Sequence, residues 1–367
     1  MTIFQSHPVP AVSDASNSGV ALIALSTALP PNVLHQAEVL ERSRALLGQR
    51  FAQFDRLAPA FLNAGIETRH SVVPIDWFTE PHGWVERTEA YVAGATELFI
   101  EATEAALTQA GLGADQIDVI VTVSSTGIAT PTLEARAAAR LGFRPDAMRV
   151  PVFGLGCAGG VSGLAIARDL AASRPGQNVL MVTVETCTLL FRQDRLAKAD
   201  IIATALFGDG AAAAILRGGD RGTGGGRSLG TLGRGAQHMW PDSLNIMGWS
   251  VEETGLGVIF DRSIPSFAEA ELADAVDSVM GGMGLTRADR FVCHPGGAKV
   301  IEAIETSLAL PTGMLDAERR VLSRTGNMSA PTVLFVLEEA LQRDASGQLV
   351  LLALGPGFTL SALPLRT

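Results

Sequence analysis

Three segments carry residues suited to nucleophilic chemistry: FGLGCAGGVSGLAIARDLAAS around Cys157, FVCHPGGAKVIEAIE around His294, and SRTGNMSAPTVLFVLEEAL around Asn327. Cys157 follows a short apolar run and opens an Ala-rich amphipathic segment, so it falls at a strand-to-helix turn. There the positive end of the helix dipole and free backbone N–H groups lower a thiol's pKa. Gly156, Gly159 and Gly160 leave room beside it for a bulky thioester. The competing reading is a small buried cysteine in a packed turn, since free cysteine is among the most buried residue types. His294 ends an apolar run and enters a Pro-Gly-Gly turn, at the strand terminus where sites in open α/β sheets collect. Its imidazole can take the thiol proton and, as a cation, stabilise a thiolate and a developing oxyanion. Asn327, between Gly326 and a helical segment, is an ordinary helix N-cap by type. Its carboxamide can also donate to a thioester carbonyl as that oxygen gains charge. Together the three point to an acyl-condensing site.

The elements that must hold these residues follow from periodicity. Short β-branched runs alternate with Ala-rich segments, which predicts an α/β protein with buried strands. Strands are expected at 19–25, 117–123, 149–153, 178–184, 211–216, 290–294 and 348–354, and helices at 95–110, 132–141, 158–173, 267–281 and 330–343. RGGDRGTGGGRSLG (217–230) reads as a linker, rich in Gly and poor in apolar residues. It divides the chain into an N-terminal half, 19–225, and a C-terminal half, 226–367, preceded by a mobile arm, 1–18. The halves share a grammar: a turn ending at Cys157 or Asn327, then a helix, a polar turn and a strand.

Composition narrows the function further. The 367 residues carry a formal charge of −10, which argues against nucleic acid or an anionic membrane as the main partner. Cys157, Cys187 and Cys293 make no disulfide framework and no CxxC metal knuckle, so a reducing compartment is expected. No apolar run reaches membrane-span length, and residues 1–18 lack the pattern of a signal peptide. A cytoplasmic enzyme is the expectation.

The sequence resembles the type III polyketide synthases, the chalcone and stilbene synthase superfamily, from about residue 19 onward. The matching motifs are GCAGG (Gly156–Gly160), ALFGDGAAA (Ala205–Ala213), HPGG (His294–Gly297), GNMSAPTVLF (Gly326–Phe335) and GPG (Gly355–Gly357). The resemblance implies the thiolase fold, a five-layered αβαβα arrangement of two pseudo-equivalent halves. It implies Cys157, His294 and Asn327 as the catalytic triad and Phe207 as a gatekeeper between a CoA tunnel and the reaction cavity. Gly355, Pro356 and Gly357 are expected to contribute to substrate binding. The implied substrates are a starter acyl-CoA and malonyl-CoA, with no metal or redox cofactor, and the implied assembly is a homodimer.

Departures from plant relatives concern the pocket. Aligned on Gly255, Val258 stands where plant enzymes carry a second gatekeeper phenylalanine, and Trp249 where they usually carry Gly. Cys187 and Leu190 fall among cyclisation-pocket positions, and Thr130 replaces a methionine that reaches into the partner subunit. These changes lean toward an aliphatic starter and an alkylpyrone or alkylresorcinol product, although Cys187 can equally be core. The lysines that grip CoA phosphates are not matched. Arg50, Arg56 and Arg69 are candidates, with ordinary surface arginines the plainer reading and delivery by an acyl-carrier protein left open. Cys293, one residue before His294 on a strand, should point to the other face, unlike a thiolase's second cysteine. The alternatives are a ketoacyl-synthase-III-like enzyme making one condensation or acyl transfer, and a silent scaffold of the same fold.

Overall fold

The run from Asn178 to Thr186 is buried at every position, because β-branched residues facing both ways suit a strand covered on both sides. Around it the computed structural model, which describes residues 19–195, 197–219 and 228–367, builds a ten-stranded mixed sheet. The N-terminal arm and residues 220–227 of the linker lie outside the described residues. The linker's two ends are strand: Arg217 and Gly218 finish the strand Asp209–Gly218, and Gly230 begins Gly230–Leu232.

Two strand sets of like design make up the sheet. In the first, Val119–Val123 lies parallel to Asn178–Thr186, which runs antiparallel to Asp209–Gly218. In the second, Arg290–Cys293 lies parallel to Gln348–Gly355, which runs antiparallel to Thr359–Arg366. The short strand Gly230–Leu232 pairs with Val20–Ala28 on one side and Thr359–Arg366 on the other, joining the sets. Before each long central strand comes a helix, Gly159–Ala172 in the first set and Thr332–Gln342 in the second.

Side-chain alternation shows the layers. Val119, Val121 and Val123 share a core with Val161, Leu164, Val333 and Leu337 of those two helices, and so do Leu349, Leu351 and Ala353. Ile120 turns the opposite way, onto Leu98 and Phe99 of the helix Trp84–Ala110. Val350 and Leu352 turn onto Val276 of the helix Ile264–Gly282 and Ile301 of Ala298–Ser307. Helix, strand, helix, strand, helix is the resulting order, with the two central helices covered on both faces.

The helix expected at 95–110 starts earlier, at Trp84, where the Glu86 carboxylate accepts from the Gly83 N–H at 3.0 Å. Gly94, inside this helix, is a packing contact: a Cβ there would fall 2.5 Å from Val72. The strand Thr359–Arg366 was not expected, since Pro364 weakens its strand signal.

The central helices meet through glycine. A Cβ on Gly160 would lie 2.2 Å from the Ala330 carbonyl oxygen, and one on Gly163 2.6 Å from Val123 Cγ2. Gly160 therefore sets the spacing between the Cys157 helix and the chain leading into the Thr332–Gln342 helix, and Gly163 that between the Cys157 helix and the strand Val119–Val123. Gly160→Ala gains helix propensity of about 1 kcal/mol. Overpacking against a backbone atom costs about 1–3 kcal/mol or more, so the clash wins. Thermal unfolding of this variant should show a lowered Tm; an unchanged or raised Tm would show that the spacing is slack.

Candidate active site

Cys157 sits in a single 3-10 turn, Gly156–Ala158, that runs into the helix Gly159–Ala172. Gly156 has φ +46, and a Cβ on it would fall 2.6 Å from Pro356 Cδ. A Cβ on Gly355 would meet Ala158 at 2.5 Å. The GPG loop is thus packed against the cysteine turn. His294 follows the strand Arg290–Cys293 and is anchored by its N–H donating to the Leu352 carbonyl at 2.8 Å.

Asn327 is not a helix cap: the next helix begins at Thr332. Its main chain instead forms a bridge to Phe207. The Asn327 N–H donates to Leu206 O at 2.9 Å, and the Gly208 N–H donates to Asn327 O at 3.0 Å. Its side-chain Oδ1 accepts from the Ser329 N–H at 2.8 Å, while Nδ2 donates to Gly296 O at 3.2 Å. The first bond fixes which end of the amide is which, and the second uses one of its two N–H groups. The other amide N–H has no oxygen partner among the described residues and is left facing the Cys157 thiol, where a substrate oxygen could take it.

These three residues line one cavity of about 490 Å³ together with Met247, Phe260 and Leu354. All are buried, Cys157 at 8%, His294 at 4% and Asn327 at 1% exposure. Cys293, which strand alternation was expected to turn away, also lines this cavity.

Burial governs the charge state. It pushes the Cys157 thiol up to about 11, opposed by the Ser329 hydroxyl and the Asn327 amide and reinforced by the nearby Glu185 carboxylate. The turn's backbone contributes least, so the expected lowering by the helix terminus is outweighed by desolvation. His294 is pushed down to about 4 by burial, and neither ring nitrogen has a hydrogen-bond partner among the described residues. At rest the two groups are therefore a neutral thiol and a neutral imidazole.

A second, larger cavity of about 720 Å³ brings together Phe207, Val258, Cys187 and Leu190 with Leu34, Leu46 and Phe78. Phe207 carries its ring on this cavity and its main chain on Asn327, and it meets Trp249 edge-on at 5.9 Å between ring centroids. Trp249 is the cross-strand partner of Val258. Arg69 also lines this cavity but is buried at 3% exposure, so it is neither a surface arginine nor free to grip a phosphate in solvent. Arg50, Arg56 and Thr130 are exposed and line neither cavity.

Two residues escaped sequence reasoning. Ser329 has φ +59, and its buried Oγ has no hydrogen-bond partner among the described residues but stands close enough to Cys157 to hold the thiol's pKa down. Its place two residues after Asn327 was the available signal. Glu185 is fully buried and pushed up to about 8 by desolvation, and it accepts from the Ser125 N–H at 3.0 Å and the Thr126 hydroxyl at 2.7 Å. A buried carboxylate at the end of an apolar strand was legible as an anomaly.

If the thiol and imidazole exchange a proton, an imidazolium beside the thiolate lowers the thiol's pKa by about 1–3 units. His294→Ala removes that cation. The midpoint of the pH profile for iodoacetamide alkylation of Cys157 should move upward, and an unmoved midpoint would show that the two groups do not share a proton.

The chain matches two family descriptions: "Chalcone and stilbene synthases, N-terminal domain" over residues 80–220 and "Chalcone and stilbene synthases, C-terminal domain" over residues 231–367. It is 38% identical to a 1,3,6,8-tetrahydroxynaphthalene synthase of Streptomyces peucetius subsp. caesius, covering 95% of this chain and 93% of that one. It is 34% identical to a putative chalcone synthase of Bacillus subtilis, covering 92% and 96%. The crystal structure of the tetrahydroxynaphthalene synthase of Streptomyces coelicolor A3(2) superposes with a TM-score of 0.87 at 28% identity, covering 95% of this chain and 99% of that one. With the layered fold and these matches over nearly the whole chain, the protein belongs to the type III polyketide synthases, the chalcone and stilbene synthase family, and has their thiolase fold.

Proposed function

We propose that the protein loads a starter acyl group from acyl-CoA onto Cys157 and extends it with malonyl-CoA before cyclisation. The observation that supports this best is the single buried cavity shared by Cys157, His294 and Asn327. The thiol gives its proton to His294 and its sulfur attacks the starter thioester, releasing CoA as the thiol. Malonyl-CoA then binds, and its C–C bond to the carboxylate breaks to give CO2 and an enolate. The N–H of Asn327 and the ring N–H of His294, neutral again once CoA has taken its proton, donate to the enolate oxygen as it gains charge. The enolate carbon attacks the Cys157 thioester carbonyl and displaces the Cys157 thiolate, leaving the chain, longer by two carbons, on CoA; the thiolate takes the chain back with release of CoA for the next extension. The cycle calls on no metal and no redox cofactor, because every step exchanges acyl groups or loses CO2. Delivery of the starter by an acyl-carrier protein is an outcome that starter kinetics would show.

The product follows from what fills the larger cavity. Its lining by Leu34, Leu46, Leu190 and Val258 supports an aliphatic starter and a pyrone or resorcinol product. Similarity to the tetrahydroxynaphthalene synthases supports another reading, a fused aromatic built from extender units alone. Mass spectrometry separates them. A panel of aliphatic acyl-CoA starters with malonyl-CoA should give cyclised products that retain the alkyl chain. Tetrahydroxynaphthalene from malonyl-CoA alone, with starters ignored, would decide for the other reading. A single β-ketoacyl product would mean one condensation and no iteration.

Cys157→Ala should abolish covalent acylation by starter. Asn327→Ala should still acylate Cys157 but lose decarboxylation by roughly 10²–10³-fold, the size of one oxyanion donor. Normal acylation of the Cys157→Ala protein would overturn the scheme.

The edge strand Met148–Val152 supports a homodimer. It ends the sheet, with Met148 43% and the adjoining Phe153 59% exposed, and such edges are usually covered. Light scattering should give twice the chain mass, and a monomer at micromolar concentration would count against it.

A further inference from the structure

Arg69 is a buried cation, beside the Asn327 segment, that the proposed mechanism leaves unused. It stands on the short strand Thr68–Ser71, whose neighbours are tied to the end of the helix Asp316–Thr325, immediately before Asn327. The Glu67 N–H donates to Ser323 O at 2.7 Å, and the Thr68 hydroxyl donates to Arg324 O at 2.8 Å. Arg69 Nη1 donates to the Phe207 carbonyl at 2.6 Å, between the two hydrogen bonds that clamp Asn327 to Leu206 and Gly208. Its aliphatic stem lies on Gly326, where a Cβ would fall 2.7 Å from Arg69 Cγ and 2.8 Å from Cδ. Gly326 has φ +67, so both its conformation and the space above it require glycine.

One guanidinium thus touches both chain segments that hold Asn327. Burying it is costly: its Nε and Nη2 have no hydrogen-bond partner among the described residues, and desolvation lowers its pKa to about 10. Asp209 faces it and favours the charge, and Asp209 is itself held by the Thr188 N–H and hydroxyl and the Val72 N–H. A purely structural contact at this place could be made by an apolar side chain at lower cost. We propose that Arg69 is a positioning residue: it fixes the Phe207 carbonyl and the Gly326 turn so that the free amide N–H of Asn327 points at the thioester oxygen. The inference rests on the role proposed above for Asn327.

Because the Cys157 thiolate is supported by Ser329 and the turn as well as by Asn327, whereas the enolate leans on Asn327 more heavily, the two half-reactions should separate. In Arg69→Met, which keeps the stem and removes the donors, decarboxylation of malonyl-CoA should fall roughly ten- to a hundredfold more than acylation of Cys157 by starter. That range matches one charge-assisted hydrogen bond. Arg69→Lys, which keeps stem and charge, should recover part of the decarboxylation loss, and it serves as the test if the methionine variant does not fold. Equal losses in both half-reactions, or a folded Arg69→Met protein with normal decarboxylation, would overturn the proposal. If the unaltered enzyme neither acylates Cys157 nor decarboxylates malonyl-CoA, the functional reading fails instead.

Discussion

The Cys157 helix and the chain leading into its counterpart approach until a glycine Cα on one side lies against a carbonyl oxygen on the other. Gly160 against Ala330 is that contact, and a methyl group there would fall 2.2 Å from the oxygen. Everything in the smaller cavity follows from it. Cys157 lies in the turn that opens the first helix, and Asn327 three residues before Ala330, so the spacing of two buried layers becomes the spacing of these two side chains. His294 enters from the end of a strand held by Leu352. Close-packed interiors transmit small displacements, so precision at the site is a property of the whole central layer.

Burial gives this site its electrostatic character as well. The same covering that excludes water from Cys157 and His294 keeps both neutral at rest. Dipoles that would receive a developing charge stand around the thiol: the Ser329 hydroxyl, the Asn327 amide, held by its bond from the Ser329 N–H, and the backbone of the turn. Preorganised donors in a dry site need little rearrangement when charge develops. Glu185, close by and raised to about 8, adds no full negative charge at neutral pH.

Much of this was legible in the sequence. Strands of β-branched residues showed their places to within a few positions, because burial on both faces leaves a continuous apolar run. The Cys157, His294 and Asn327 segments were readable since each couples a chemical residue to a glycine turn. What failed to show was long-range closeness. Gly159 and Gly160 looked like room for a thioester, whereas a Cβ on either would strike Val123 or Ala330. Arg69 looked like a surface cation, and only the tertiary structure places Phe207 and Gly326 against it. Asn327 looked like a helix cap because the turn Met328–Pro331 before the helix has no period of its own to read.

Phe207 gives the molecule one shared part between two tasks. Its ring lines the larger cavity, while its peptide group anchors Asn327. Cys187, Leu190 and Val258 shape the same cavity from a 3-10 turn and a hairpin strand. An evolving lineage can therefore trade side-chain volume at those three positions with little effect on the triad. At position 207 a change of tenant also disturbs the frame of the Asn327 amide, so diversification of products should run through the first three positions and leave the fourth nearly fixed.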